Sequence, residues 1–249
     1  MRRLFSLFVF ALCLMQASNT HAADEYLQAT PSALVQTLLR FGALDINNDV
    51  IIDDYAKIVE CDLFGVFRED DFKWNKIREG LRSKIRSEAV TYPSTYTIRG
   101  YVKLDRYDFD TRMFKINSDS PILGVNAFRL MDIPQKSCNE NLKVVPMQYV
   151  AVIENRVNIP GFIMSESDAE ALLGRLLKEN NHSRQILAKF NLRVLDVPKV
   201  KIDFSLISSW YDKTRYVGKA QGINLSAKLD SIEFFEDEAM KRRLFVYRP

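Results

Sequence analysis

Histidine is almost missing from this chain: 249 residues hold only His21 and His182. His21 falls in the leader-like first 22 residues, and with His182 alone zinc sites built on two or three histidines, or on two cysteines and two histidines, are not expected. A serine–histidine–aspartate triad would have to use His182, in the polar stretch "KENNHSRQ", and no Gly-x-Ser-x-Gly elbow accompanies it. The better reading of His182 is a surface residue at a helix end. Glycine is also scarce, nine residues scattered singly, so no phosphate-cradling loop is present. Charge of one sign is not in excess. Against 35 basic residues stand 32 acidic ones, and setting aside Arg2 and Arg3 leaves the two nearly balanced. Nothing in that balance points to nucleic acid or an anionic membrane. No cofactor motif is found, and no catalytic or metal-ligating set is assigned.

Long apolar runs are confined to the start. "MRRLFSLFVFALCLMQASNTHA" has a basic beginning, an apolar stretch of about twelve residues and small residues, Thr20 and Ala22, before Ala23. That length suits a signal peptide of residues 1–22 and is short for a bilayer span. Leu12 before Cys13 is a poor lipoprotein site. The expectation is an exported protein, periplasmic or secreted, with no membrane span after signal cleavage.

Cysteine is the next scarcity. Cys13 leaves with the signal peptide, so Cys61 and Cys138 remain, and two cysteines in an exported chain read as a disulfide. A cysteine protease would need one of them free beside His182.

What is present divides the chain. Residues 23–90 read as helical. Thr30-Pro31 is an N-cap followed by proline, and Gly42 suits the stop of the first helix. A second helix carries Ile52, Tyr55, Ala56, Val59, Leu63 and Val66 on one face, with Cys61 nearly opposite Val59. Asp70 or Asp71 caps a third, whose stripe is Trp74, Ile77, Leu81 and Ile85. Its other side holds Lys73, Lys76, Arg78, Arg82, Lys84 and Arg86; diluted by acids, it reads as a solvated face more than a polyanion surface.

Residues 91–249 read as β-rich. Alternation marks "STYTIRGYVKL", "RYDFDTRMFKI" and "VNAFRLMDI"; "YVAVIE" is continuous, with "RVNIPGFIM" as its expected neighbour. Ser165 and Asp168 open a helix of about residues 166–180. Residues 186–194 alternate as a strand with one wet face, and "LSAKLDSIEFF" and "RRLFVYR" close the chain. The fold class expected is α+β: a helical N-terminal third, then a mainly antiparallel sheet region with one main helix, together one compact unit.

Three stretches invite functional readings. In "LDINNDVIIDDYA", Asp45, Asn47, Asp49 and Asp53 match places one, three, five and nine of an EF-hand calcium loop. Val50 stands where glycine is needed and Ala56 where the bidentate glutamate belongs, so the stretch reads as an acidic helix–helix turn with Asp49 capping the second helix. In "LDRYDFDTR", Asp105, Asp108 and Asp110 lie close enough to suggest carboxylate catalysis, or an aspartate-rich hairpin turn. The segment "SWYDKTRYVGKAQG" offers Trp210, Tyr211, Lys213, Arg215 and Tyr216 as an interaction loop, unless its aromatics enter the core. The functional expectation is a non-enzymatic exported protein that binds another macromolecule, a protein or other envelope component. The alternative is a carboxylate-dependent hydrolase acting on glycan or cell-wall material.

Overall fold

The computed structural model describes residues 25–120, 122–132, 138, 142–154, 156–179, 183–198 and 222–249. The expected signal peptide, His182 and the loop with Trp210, Tyr211, Arg215 and Tyr216 lie outside them. The helical layer is α1 (Pro31–Arg40), α2 (Asp49–Val59), α3 (Cys61–Phe67) and α4 (Asp71–Glu88); α5 (Glu166–Glu179) stands alone. The strands are β1 (Leu27–Gln28), β2 (Thr95–Asp108), β3 (Met113–Ile116), β4 (Ala127–Asp132), β5 (Gln148–Ile153), β6 (Gly161–Ile163), β7 (Gln185–Asp196), β8 (Gly222–Phe235) and β9 (Arg243–Tyr247). This is an α+β fold built on one mixed, curled sheet.

Local chemistry sets most helix starts. Thr30 accepts the Ala33 N–H, Asn48 that of Val50, and Asp70 that of Lys73. Asn48 therefore caps α2 in place of the expected Asp49, whose carboxylate is engaged elsewhere. The expected second helix is also shorter than its periodicity suggests. At Glu60 the backbone leaves helical space (φ −133°, ψ 47°), and Cys61 opens a separate α3. Leu63 and Val66, expected inward, are exposed, because α3 has turned off the line of α2. The turn places Cys61 where its Cα lies 5.8 Å from that of Cys138, and the two form a disulfide.

The sheet order is β4-β5-β8-β7-β2-β3-β6, with β1 beside β2 and β9 beside β8. Most pairs are antiparallel; β1–β2 and β5–β8 are parallel. β6 pairs with β3, not with β5 as its place after "YVAVIE" suggested. Gly161 permits that pairing: a Cβ there would meet the Phe114 carbonyl oxygen at 2.3 Å. The inner face carries Tyr96, Val102, Phe190, Leu192, Phe128 and Phe234, all buried in a core that also takes Leu34, Leu38 and Ile52 from the helices. Thr37 joins the two layers, its hydroxyl 2.5 Å from that of Tyr96 and 2.7 Å from the Pro93 carbonyl.

The outer face of β7 is not the wet face expected. Asn191 is only 3% exposed, because β7 runs between β2 and β8 and its neighbours' side chains close over it. Its amide donates to Ser231 and Glu233. Burial pushes the Glu233 carboxyl up, but the Asn191 bond and the Lys189 charge outweigh this and hold it below its ordinary range.

Candidate functional site

The calcium-like stretch comes first, since its side chains are the most suggestive in the sequence. Asp45 accepts the Asn47 N–H, a local turn bond. Asn47 accepts from Arg86 at 3.0 Å. Asp49 is engaged by both Arg78 and Arg82. Asp53 receives a two-pronged contact from Arg78 at 2.7 and 2.6 Å, plus the Trp74 indole N–H at 2.9 Å. The would-be ligands are thus the acidic half of a seam between α2 and α4, whose basic half is Arg78, Arg82 and Arg86; Lys73, Lys76 and Lys84 of the same helix are exposed, as expected of a solvated face. Arg82 is nearly buried there and also donates to the Ile46 carbonyl. No group of three or more metal-binding side chains is assembled among the described residues. Calcium would have to displace arginines already in place, so calorimetric titration is expected to show no binding tighter than millimolar. A micromolar constant would restore the loop as a metal site.

The next residue of α2 has a different environment. Asp54 is fully buried. One carboxylate oxygen accepts from three successive backbone N–H groups, Lys143 at 2.8 Å, Val144 at 2.7 Å and Val145 at 3.2 Å. The other accepts from Lys57 at 3.1 Å. With the disulfide at Cys138, this fixes the approach to β5 against the helices. Asp54 went unremarked in the sequence, although it lies three residues after Ile51 on the buried side of α2, a signal that a polar residue is held inside.

Asp105, Asp108 and Asp110 do not converge on a reaction centre. Asp105 accepts from the Asn117 amide at 2.5 Å. Asp108 closes the β2–β3 turn, accepting the N–H groups of Asp110 and Thr111 at 3.1 Å and the Lys115 ammonium at 2.8 Å. The Lys115 bond, with the backbone N–H of Thr111, brings its carboxyl down from 3.8 to about 2. A group held ionised in this way is not a general acid. Because the folded value is lowered, the stability Asp108 contributes is complete above about pH 4 and is lost as pH falls toward 2. Urea midpoints recorded from pH 5 to pH 2 should therefore fall less steeply for Asp108→Asn than for the native chain. Identical slopes would remove this assignment.

A site with room for a ligand lies elsewhere, where the sequence carries no signal. Among the described residues β4 pairs only with β5, leaving its other edge open. On the far side of the curled sheet, β2 pairs with β1 at Tyr96 and Thr97 and with β3 from Leu104 onward. Between those pairings, residues 98–101 have no strand partner on that edge among the described residues. The two open edges face each other across a cavity of about 300 Å³. Its walls are residues 97–99 of β2 and 129–131 of β4, with Gln28 of β1 and the following Ala29. Successive strand residues point to opposite faces. At residues 97–99 of β2 the cavity therefore touches both faces of the strand, while on β4 a bulge between Arg129 and Met131 interrupts the alternation.

Side chains grade across this opening. Ile98 and Leu130 belong to the inner, core side. Thr97, Arg99 and Arg129 lie on the outer side. The Thr97 hydroxyl is buried and makes no hydrogen bond among the described residues. The lining contains two guanidiniums and no carboxylate among the described residues. A second cavity, about 310 Å³, opens near the end of the chain between Ile153, Leu195, Lys228 and Tyr247.

A family model described as a domain of unknown function (DUF4852) matches residues 47–175, just over half of the chain. The match runs from within the acidic turn into α5 and includes Asp54, both cysteines and β2 to β6. No curated protein and no solved structure matches the chain.

Proposed function

Because the chain belongs to the DUF4852 family, whose description assigns no activity, we propose from its own chemistry that it is an exported, non-enzymatic protein that binds another macromolecule. The observation that carries the binding half is the edge of β4 that has no strand partner among the described residues and faces β2 across a cavity of about 300 Å³. An unpaired strand edge is a template for another chain, and proteins ordinarily cover or charge such edges. The Cys61–Cys138 disulfide supports the export half, since such bonds persist in oxidising compartments. The leader-like residues 1–22 point the same way. No helix among the described residues is long and apolar enough to cross a membrane. The hydrolase alternative loses its best residues, because Asp105 and Asp108 are committed to Asn117 and Lys115.

One experiment on cells tests both halves. The protein recovered from the envelope should have a mass beginning at Ala23, less two hydrogens for the disulfide, and should cross-link in place to a recurrent partner. Uncleaved protein with reactive thiols would end the export reading. Hydrolysis of cell-wall fragments without a cross-linked partner would end the binding reading in favour of the hydrolase.

A further inference from the structure

We propose that the outer face of β2, from Arg99 through Tyr101 to Lys103, binds an acidic polysaccharide, with one sugar stacked on the Tyr101 ring. The inference rests on the exported binding function proposed above and names its ligand class. Arg99 is where this face meets the cavity.

The strand is regular here. β2 pairs with β7 without interruption from Thr95 to Lys103, so residues 99, 101 and 103 share one face. All three are exposed, whereas Val102 and Leu104 on the other face are buried. Arg99 and Lys103 stand about 13 Å apart along the strand. One sugar ring cannot reach both, so the ligand is a chain.

Tyr101 is a fixed platform. In its row across the sheet, Leu187 of β7 and then Phe235 of β8 follow it. Both are nearly buried, although the row faces outward. The Tyr101 hydroxyl donates to Glu238 at 2.7 Å, three residues beyond Phe235. The ring is thus held along that row, and the residue is still 49% exposed. An aromatic face is electron-rich, and the C–H face of a sugar ring is complementary to it.

Charge sets the chemistry of the sugars. Arg99 stands directly opposite Lys189, a like-charge pair that the fold alone does not favour. Glu233 answers Lys189 at 3.3 Å, and Glu238 is taken by Tyr101. Arg99 and Lys103 have no side-chain ion pair among the described residues. Two unanswered cations flanking the ring suit carboxylate or sulfate groups on the sugars either side of the stacked one. The near-neutral total charge conceals this face, because the balancing acids lie elsewhere.

The test titrates the oxidised protein with oligogalacturonate, heparin fragments, neutral dextran, polyglutamate and single-stranded DNA. At least one of the two acidic polysaccharides should bind, more weakly as salt rises, and dextran should not. Tyr101→Ala should weaken binding about tenfold with the salt dependence unchanged, as expected for a lost stacking platform. Tyr101→Phe, which keeps the ring, should lose much less. Arg99→Gln and Lys103→Gln should each flatten the salt dependence. Every variant is checked for a native unfolding midpoint. Acetylation needs no variant and decides the matter if one unfolds: bound polysaccharide should shield Lys103 and leave Lys76 of α4 reactive. No polysaccharide binding, equal binding of dextran, or shielding away from Lys103 would overturn the inference. Tighter binding of polyglutamate would assign the face to an acidic protein, and tighter binding of DNA to nucleic acid. An envelope partner that cross-links while Lys103 stays reactive would overturn this inference and leave the binding function standing. Cytosolic protein with free thiols would remove the export reading and leave the polysaccharide titration unaffected.

Discussion

Asp54→Ala is expected to lower stability by about 3–5 kcal/mol, the range for removing one partner of a buried charged pair. The reasoning starts from the donors left behind. Lys143, Val144 and Val145 each point an N–H at one carboxylate oxygen of a fully buried side chain. Without an acceptor, each buried donor costs about 1–3 kcal/mol, less whatever water can restore. Lys57, whose side chain is mostly covered, also loses its counter-charge. Asp54→Asn should cost less, since its amide keeps one oxygen as an acceptor for the three N–H groups and loses mainly the charge. Urea unfolding followed by circular dichroism measures both. A loss below about 1 kcal/mol for the alanine variant would show that the segment at 143–145 is held by something other than this carboxylate.

Removing the disulfide should have an effect of similar size. The cysteines are 77 residues apart, and the chain-entropy model gives about 4–5 kcal/mol for a closed loop of that length, an upper figure. Cys61→Ser with Cys138→Ser is therefore expected to lose about 2–5 kcal/mol, and reductant should shift the native urea midpoint by a comparable amount. An unchanged midpoint under reductant would contradict a structural cross-link. The two losses should not simply add. Asp54 and Cys61 lie on neighbouring helices and hold the same stretch, residues 138–145, at its two ends. Once one hold is gone the stretch can leave and weaken the other, so a double-mutant cycle should give a coupling energy of about 0.5–3 kcal/mol.

How far the sequence foretold this depends on the range of the interaction. Helix starts were legible where a side chain answers a backbone group three residues away, as at Thr30, Asp70 and Ser165. Strand existence was legible from alternation, and the disulfide from counting cysteines. Pairing was not, because alternation says which face a residue takes and nothing about which strand lies beside it; β6 accordingly went to β3. The helix break at Glu60 was hidden because Leu63 and Val66 continue the apolar period by chance of composition while lying in the solvent. At the acidic turn the ligand-like residues were visible, but their arginine partners stand 25 to 39 positions later, and only the packing of α2 on α4 joins them. The cavity was least legible of all. It lies between strands distant in the sequence, and Arg99 and Arg129 look there like any residue of an alternating strand.

The position of β8 governs the order in which the molecule can be finished. It alone connects the β4–β5 pair to β7 and the rest of the sheet, and it also carries β9. Yet its residues follow those of β4, β5 and β7 in the chain and are synthesised after them. With β7 complete at Asp196, a further 39 residues must follow before Phe235 exists, about 2–8 s of elongation at ordinary rates. Until then the β4–β5 pair and the β7-β2-β3-β6 strands lack the strand that joins them. Truncation within β8 should therefore leave two sets of strands with unpaired edges and give aggregation in place of a smaller soluble protein.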